Sequence, residues 1–253
     1  MDNEPLSISM LIDEIEFLTK ECKNLTEDEI TESSQLFSNH YGFYSELSKI
    51  RPGERIRMGE SRYRKLKKIK NCYVAFGKYQ GRVIGQAYYI KKQLSNGMGA
   101  WVTQLVVHSD YRKMGIAKTL LHSIWGFSDY AAWGLATSNP LTIKALESVT
   151  FRKVNIKSLK ENESALVELA EEVEFIEPSQ FLFQEKTLVA FTDFFPDYNQ
   201  LKSQIDEELE SIFNLTELKA GYEWIAFTFK TQKFSAPDQK KFEVLLNISD
   251  NQG

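Results

Sequence analysis

The apolar and polar positions near the start of the chain predict two helices. Apolar residues three or four positions apart predict an amphipathic helix through Leu11, Ile15 and Leu18. The capping-box sequence Thr26–Glu29 predicts the start of a second helix, which contains further apolar residues and ends near Tyr41. The first forty residues are therefore expected to be largely helical.

The next hundred residues change to strand spacing and then alternate between strands and helices. Turn residues at Gln80-Gly81 and Asn96-Gly97 separate runs rich in β-branched and aromatic residues. These runs predict strands over 72–76, 83–90 and 100–108. Farther on, the pattern predicts a helix over 116–125, a short strand over 133–137 and a helix over 140–149.

Beyond residue 151 the pattern again mixes both spacings. It predicts an acidic helix over 161–173, strands over 181–183, 188–191 and 223–229, and a final helix with Phe242, Leu245 and Leu246. One helical face is predicted to carry Leu201, Ile205, Leu209 and Ile212. Helices and strands that interleave in this way are typical of an α+β fold.

Composition narrows the class of protein. The 253 residues are 42% hydrophobic and 13% aromatic, which excludes a disordered or collagen-like chain. No run approaches the roughly 18 apolar residues of a membrane span. The acidic N-terminus is unlike a signal peptide, so we expect a cytoplasmic protein. Cys22 and Cys72 are expected to be free thiols, and three histidines at unrelated spacings predict no metal site.

A basic stretch interrupts an otherwise acidic chain. The net charge is −4, but residues 51–70 contain nine Lys or Arg and two Glu. Tyr63 and Leu66 fall at helical spacing within it, which predicts a basic helix. Its cations, most simply a solvated face, include Arg62, Arg64, Lys67 and Lys68. The other interpretation is a docking surface for an anionic ligand, which leaves nucleic acid open as a partner, although we do not expect it.

The segment from Trp101 to Leu121 carries the most chemical information. A strand leads through a short loop into a helix, where Gly115 permits a tight turn and Ala117 keeps bulk away from the backbone. The first amides of a helix have no intrahelical acceptor and form an anion site, beside which Arg112 and Lys113 add positive charge. A pyrophosphate would suit this site. The loop matches neither GxxxxGK[ST] nor GxGxxG.

Residues 112–117, Arg-Lys-Met-Gly-Ile-Ala, resemble the Q/R-x-x-G-x-G/A signature of the GNAT superfamily of acyl-CoA N-acyltransferases. The strand before them, the Asp110-Tyr111 lead-in and the helix after them match as well. Residues 136–147 look like the superfamily's fifth strand and the following helix. The resemblance covers about Thr26 to Val154. It implies a mixed, mostly antiparallel central sheet flanked by helices, here with an α/β C-terminal extension.

The resemblance implies an N-acetyltransferase that transfers an acetyl group from acetyl-CoA to an amine by direct attack in a ternary complex. Its strand would splay from the strand at 133–137 and hold the pantetheine arm through the backbone of Leu105, Val106 and Val107. The pyrophosphate would be held by the side chain of Arg112 and by the amides of Lys113, Met114, Gly115, Ile116, Ala117 and Lys118. Asn139 would face the cofactor's arm. The acceptor cleft would be lined by Tyr41, Tyr44, Trp101 and Thr103.

Two positions depart from the superfamily's pattern and leave the catalytic residues unknown. Many relatives have a carboxylate early on the strand, where this chain has Trp101, and a tyrosine in the later helix, where it has Leu146. Possible replacements, each with a structural role as the simpler expectation, are Tyr41, Tyr44, Tyr198 and Glu223. The alternative function is that of a catalytically silent acyl-CoA-binding protein that acts through a partner.

Two regions are predicted along the chain. Residues 1–156 would form the acyl-CoA-binding core with its N-terminal helices. Residues 157–253 would form an extension that returns a strand at 224–229 to the sheet and caps the acceptor side. The sequence determines neither the oligomeric state nor the class of amine, which could be a small molecule, a peptide or an RNA-linked group.

Overall fold

One eight-stranded sheet forms the centre of the computed structural model, which describes residues 14–125, 128–197 and 205–235. Its strands are β1 (Ile15–Glu21), β2 (Cys72–Tyr79), β3 (Arg82–Leu94), β4 (Gly97–Val107), β5 (Ala132–Thr137), β6 (Phe181–Phe183), β7 (Leu188–Phe194) and β8 (Gly221–Phe229). Their order across the sheet is β1-β2-β3-β4-β5-β8-β7-β6. Among these strands, β4 and β5 run parallel, and the other neighbouring pairs are antiparallel.

Helices cover both faces of the sheet. They are α1 (Glu27–His40), α2 (Glu60–Leu66), α3 (Ile116–Trp125), α4 (Pro140–Thr150), α5 (Ile156–Glu161), α6 (Glu163–Ala170) and α7 (Glu207–Glu210). On the front face, α1 reaches β3 through a 2.9 Å hydrogen bond between Ser33 Oγ and Tyr88 Oη. On the back face, α3 packs so closely on Gly85 that a Cβ there would lie 2.9 Å from Ile116. The predicted mostly antiparallel sheet with flanking helices is confirmed.

The capping box predicted at the start of the second helix is present. The hydroxyl of Thr26 accepts a hydrogen bond from the Glu29 N–H at 3.2 Å, and the Glu29 carboxylate accepts one from the Thr26 N–H at 3.1 Å. This reciprocal pair satisfies two of the amide groups that a helix start leaves without partners. The local sequence therefore fixes where α1 begins.

The helix predicted through Leu11, Ile15 and Leu18 is wrong. Ile15–Glu21 is an edge strand that pairs antiparallel with β2, with Ile15 opposite Tyr79. An edge strand that is partly covered on both faces has no clean alternation, so three apolar residues can fall at helical spacing by accident. Pairing with β2 then decides the conformation. Leu11 itself lies outside the described residues.

Three other predicted helices differ in extent. The basic helix is confined to Glu60–Leu66. The acidic helix predicted over 161–173 is the shorter α6, and Asn162 separates it from α5, which precedes the predicted range. Asn162 donates from Nδ2 to the Ser158 carbonyl at 2.9 Å, so its side chain serves the end of α5 and the backbone turns there. The helical face predicted from residue 201 becomes the single turn Glu207–Glu210. Leu201 and residues 242–246 lie outside the described part of the chain.

The two predicted regions share this one sheet. In the C-terminal region, β8 pairs antiparallel with β5, and β7 and β6 follow it to the edge. Trp101, Gly134 and Phe227 lie side by side on β4, β5 and β8, with the Trp101 and Phe227 rings 4.8 Å apart. The chain beyond residue 157 therefore contributes to the main core. That it also caps the acceptor side stays a prediction.

Both cysteines are free and buried, and their Sγ atoms lie 2.9 Å apart. Cys22 follows β1 directly and Cys72 begins β2, so the antiparallel pairing of these strands brings them together. The hydrogen bond that Cys22 shares with Cys72 raises the pKa of the Cys22 thiol most, and burial raises it further. The thiol therefore stays protonated.

Candidate functional site

The parallel strands β4 and β5 pair only over part of their length. Their register runs from Gly99 opposite Ala132 to Val102 opposite Leu135. Residues 103–107 of β4 and 136–137 of β5 continue beyond this last pair. We call the space between these two segments the wedge. Because neither segment hydrogen-bonds to the other, backbone groups of both strands border the wedge and are available to a ligand.

A β-bulge explains why the strands separate at this point. On β3, Tyr88 lies opposite Gln104 and Tyr89 lies opposite Val102, which leaves Thr103 as the extra residue on β4. A bulge bends its strand and increases the local twist. The half-buried Thr103 supports the bulge, because its hydroxyl donates to the Tyr88 carbonyl at 3.2 Å. Thr103 thus lies at the apex of the wedge.

The loop after β4 turns its backbone amides toward one side. Lys113 has φ of +66° and Gly115 has φ of +85°, with one residue between them. Residues of left-handed conformation close to right-handed ones direct successive N–H groups into a concave anion site. A Cβ at Gly115 would have no atom within 4 Å, so the space above it is open. The turn predicted at Gly115 is therefore present and leads directly into α3.

The start of α3 adds further amides at the same place. The first hydrogen bond of the helix joins the Thr119 N–H to the Gly115 carbonyl at 3.0 Å. The N–H groups of residues 116–118 therefore have no carbonyl acceptor within the helix. Lys113 and Lys118 are exposed beside them. An open concave backbone, a helix start and two cations match what a pyrophosphate requires. The predicted cofactor residues of the loop are thus brought together.

The Arg112 side chain makes hydrogen bonds within the protein. Its Nε donates to the Val107 carbonyl at 3.2 Å, and its Nη2 donates to the His40 carbonyl. The guanidinium therefore links the end of α1 to both ends of the loop, and its hydrogen bonds here go to carbonyl groups. These two hydrogen bonds give the side chain a positioning role in the loop, and the direct phosphate contact predicted for it stays a prediction.

His40 completes this link and was not predicted from the sequence. Its ring lies 3.7 Å from the ring of His108, and its Nδ1 accepts a hydrogen bond from the Ser109 N–H at 3.2 Å. Burial lowers the pKa of His40, and the neighbouring His108 ring and the charge of Arg112 lower it further. The neutral form, which can accept the Ser109 N–H, is therefore favoured. His108 itself caps the turn after β4 by accepting a hydrogen bond from the Asp110 N–H at 3.3 Å.

The positioning role of Arg112 makes a testable prediction. Arg112→Ala and Arg112→Lys should both weaken coenzyme A binding by about 1–2 kcal/mol, because lysine cannot donate in the two directions that the guanidinium serves. Calorimetry with coenzyme A measures both variants. If Arg112→Lys retains wild-type affinity while Arg112→Ala loses it, the side chain acts mainly by attracting the phosphates through its charge, and the positioning role is wrong.

Asn139 lies on the other side of the wedge. It follows β5 and caps α4, where its Oδ1 accepts a hydrogen bond from the Leu141 N–H at 3.0 Å. Pro140 at the first helical position suits the same helix start. The carbonyl oxygen of Asn139 is thus used structurally, and the prediction that this side chain faces the cofactor's arm stays a prediction.

Two segments distant in sequence meet at the end of the wedge on the front face. The Ser45 N–H donates to the Phe195 carbonyl and the Asp197 N–H donates to the Phe43 carbonyl, both at 2.8 Å. Residues 43–45 and 195–197 thus form a short antiparallel ladder, centred on a bridge between Tyr44 and Pro196. We call this ladder the strap. It joins the connection between α1 and α2 to the chain that follows β7.

Aromatic rings beside the strap include two predicted acceptor-cleft residues. Tyr41 stacks on Phe37 at 4.4 Å, and the ring of Phe194 lies 5.9 Å from Tyr41 and 6.3 Å from Tyr44. Tyr41, Tyr44 and Phe194 are all half-buried. The structure therefore brings both tyrosines together next to the last residue of β7. Phe194 had no distinguishing signal in the sequence, because a phenylalanine at the end of a strand most often belongs to the core.

Trp101 does not line a cleft. It is fully buried on the front face, packed edge-on against Phe227. The neighbouring glycine on β5, Gly134, leaves room for the Phe227 ring, because a Cβ there would lie 2.3 Å from it. The prediction that Trp101 borders the acceptor is corrected to a core role.

A buried polar network lies under α1 and α2. It was not predicted from the sequence. Tyr63 donates to Gln104 Oε1 at 2.9 Å, and Gln86 Nε2 lies 2.7 Å from the same oxygen. The second polar atom of Gln86, Oε1, is buried without a partner among the described residues. Burial raises the pKa of Tyr63, so its hydroxyl remains a donor. The network fixes Gln104, the residue that follows the bulge, and so helps to fix the apex of the wedge.

The basic stretch is used largely within the chain. Arg62 pairs with Glu174 at 2.6 Å, and Arg64 pairs with Glu27 and Glu60 at 2.8 Å. Lys67 donates to the Leu25 carbonyl at 2.7 Å. Of the four basic residues that the sequence placed on this helix, Arg62, Arg64 and Lys67 thus hold α2 against the start of α1 and the C-terminal region. This leaves less free positive charge for an anionic partner than the sequence suggested.

The described ranges contain neither a membrane-spanning helix nor a cluster of metal ligands. No helix there is long and apolar enough to cross a bilayer. No group of three or more His, Cys, Asp or Glu side chains in the same ranges is placed to hold a metal ion. Tyr198, one of the possible catalytic replacements, lies outside them.

Comparison with known proteins gives one family match and several partial structural ones. Residues 40–127 match the family model described as the acetyltransferase (GNAT) family. No curated protein matches significantly. One solved structure that resembles the chain is an aminoglycoside acetyltransferase from an uncultured soil metagenomic sample, in complex with trehalose. It has 16% identity, with 45% of this chain and 69% of that chain covered and a TM-score of 0.34.

Two more solved structures show similar partial agreement. The ribosomal-protein-S18-alanine N-acetyltransferase from Escherichia coli has 14% identity, with 53% of this chain and 76% of that chain covered and a TM-score of 0.37. The NatC complex bound to Gag peptide and CoA has 21% identity, with 53% of this chain and 82% of that chain covered and a TM-score of 0.37.

The sequence match and the geometry concern the same part of the molecule. The matched segment begins at His40, includes the bulge and the loop with its two left-handed residues, and ends just after α3. It carries the six residues whose pattern predicted the family. Residues 40–127 of this chain therefore match the GNAT acetyltransferase family.

Proposed function

We propose that this protein is an N-acetyltransferase that transfers the acetyl group of acetyl-CoA to an amine by direct attack. The observation that carries the proposal is that the wedge and the loop amides adjoin at Val107, where β4 ends and the loop begins. A long ligand with a pyrophosphate at one end and a thioester at the other would span both. Fold alone never determines function, so the proposal depends on this site.

The geometry supports the following residues as those that would hold the cofactor. The amides of residues 113–118 would bind the pyrophosphate, and the open space at Gly115 admits its oxygens. Leu105, Val106 and Val107 would bind the pantetheine arm through main-chain groups that face the wedge. Asn139 would contribute its side-chain amide from the β5 side.

The chemistry requires an uncharged amine and a place for developing negative charge. An ordinary alkylammonium has a pKa near 10.4, so the acceptor must lose a proton before it attacks the thioester carbonyl. A main-chain N–H near Val106 or Val107 on the wedge is the natural donor to the developing oxyanion. The departing thiol has a pKa of about 8.5, so it can leave without a strong general acid.

The second candidate is an acyl-CoA-binding protein without catalytic activity. Burial of Trp101 and of Leu146 favours it, because neither position can place a carboxylate or hydroxyl beside the thioester. This candidate shares the cofactor site with the first. It differs in predicting cofactor binding with no turnover.

A thiol-release assay with acetyl-CoA separates the two candidates. The acceptors are spermidine, a peptide with a free N-terminus and a lysine-containing peptide, and calorimetry measures acetyl-CoA binding in parallel. We expect amine-dependent release of coenzyme A together with the acetylated product in equal amounts. Acetyl-CoA binding without release on any of the three acceptors would support the silent protein instead.

A further inference from the structure

Glu223 is a buried carboxyl on the strand next to the wedge. In the register of β5 and β8, Thr137 lies opposite Trp224, so Glu223 is the first residue of β8 beyond the end of β5. The adjacent β5 residues, 136 and 137, form one side of the wedge. Neighbouring strands are about 4.8 Å apart, so the Glu223 backbone lies roughly one strand spacing from that side.

The side chain of Glu223 belongs to the front face. Residues two apart on a strand share a face, so Glu223 lies on the same side as Phe227, which packs against Trp101. Two residues before Glu223, Gly221 pairs with Phe194, whose ring packs against Tyr41 and Tyr44. The carboxyl, the aromatic rings beside the strap and the end of the wedge therefore lie at the same end of the same face.

Glu223 is unlike the other buried carboxylates. Glu29 binds Lys20 and Lys78, and Glu147 binds Lys153 and accepts from the Val154 N–H at 2.9 Å. Glu223 is 6% exposed, and no cationic side chain among the described residues pairs with it. A buried carboxylate without a cation costs folding energy and is uncommon unless it has a function.

The surroundings of Glu223 set its protonation. Burial raises the pKa of Glu223 to about 7, and a hydrogen bond from Thr192 offsets part of that effect. The other titratable residues on β7 and β8 are Asp193 and Tyr222, and Tyr41 and Tyr44 lie beside Phe194 at the strap. None of these contributes to the shift. The carboxyl is thus half ionised near neutral pH, where a general base works best.

We propose that Glu223 is the base that accepts a proton from the acceptor ammonium, through one water between the carboxylate and the wedge. This inference rests on the proposed function. The proton passes from R–NH3⁺ to the carboxylate, which becomes the acid. The nitrogen lone pair then forms the C–N bond to the thioester carbon, and the C–S bond breaks. The thiolate takes the second proton of the nitrogen, the product is the amide, and Glu223 returns its proton to solvent.

Glu223→Gln is the main variant, because the amide oxygen can still accept from Thr192. Its control is Glu147→Gln, which also removes a buried carboxylate but lies on α4, away from the front face. With the most active of the three acceptors, we expect Glu223→Gln to lower kcat/KM about 100-fold. The rise of activity with pH around 7 should disappear in the same variant. Acetyl-CoA affinity should stay at the wild-type value in both variants.

Thermal unfolding at several pH values tests separately whether each variant is folded and how Glu223 affects stability. The pKa of Glu223 in the folded chain lies above its unfolded value of 4.5. Its contribution to stability is therefore complete below that value and is lost as the pH rises through about 7. Glu223→Gln buries no charge at any pH, so its melting temperature should rise relative to wild type between pH 5 and pH 8. Glu147→Gln should show no such trend.

The outcomes distinguish this inference from the proposed function. A folded Glu223→Gln protein with wild-type kcat/KM and an unchanged pH profile would overturn the role of Glu223 and leave the transferase intact. Wild-type protein that turns over none of the acceptors would overturn the proposed function and this inference with it. A large loss in Glu147→Gln equal to that in Glu223→Gln would show a structural effect and also reject the inference.

Discussion

Gly115→Val should abolish coenzyme A binding, with an affinity at least about 100-fold lower than that of the wild type. At φ of +85° a β-branched residue is strained, and the loop must change its dihedral angles to relieve that strain. The side chain would also occupy the open space in front of the amides, where no protein atom lies within 4 Å of a Cβ. Because a Cβ there meets no protein atom, we expect the fold to persist. Calorimetry with coenzyme A measures the affinity.

Gly81→Val provides a matched control for backbone strain. Gly81 in the turn between β2 and β3 has φ of +79° and equally open surroundings. It should therefore lose similar stability, about 1–3 kcal/mol, and keep its affinity for coenzyme A. Unchanged affinity in a folded Gly115→Val protein, or equal losses in both variants, would contradict the assignment of the loop as the pyrophosphate site.

Gly134→Ala should lower the free energy of unfolding by about 3 kcal/mol, the upper end of what overpacking usually costs. A Cβ at Gly134 would lie 2.3 Å from the Ala226 carbonyl oxygen and 2.3 Å from the Phe227 ring. Relief would require β8 to move away from β5, because one of the two obstacles is backbone. Urea denaturation measures the change.

Gly77→Ala is the control for Gly134→Ala. Gly77 also lies within a strand, but a Cβ there would meet the Phe17 ring at 3.1 Å on the edge strand β1, which can yield. We expect a cost below about 1 kcal/mol. Equal stability of the two variants would mean that β8 does not pack on β5 as described and that residues 157–253 are not part of the main core.

The parts of the molecule that the sequence predicted best are those governed by local chemistry. The capping box at Thr26, the turn at Gly115 and the start of α3 each depend on residues within a few positions of one another. The loop motif was sufficient to predict the family for the same reason. Its backbone conformation is encoded by the glycine and by the change from strand to helix spacing.

The parts that were missed depend on contacts between distant residues. The link between Arg112 and His40 joins positions 72 apart, and nothing near either residue indicates the other. Trp101 was expected to border a cleft, but its burial depends on Phe227, 126 positions later. The strand β1 was mistaken for a helix because its conformation is imposed by β2. Tertiary pairing outweighed local propensity in each case.

A crystal structure with acetyl-CoA bound tests the central claim most directly. We predict that the pyrophosphate oxygens accept hydrogen bonds from amides within residues 113–118, that the pantetheine arm lies in the wedge between β4 and β5, and that the thioester lies at the front face near Glu223. Acetyl-CoA bound elsewhere on the chain, or a wedge closed by pairing of residues 103–107 with β5, would contradict the account.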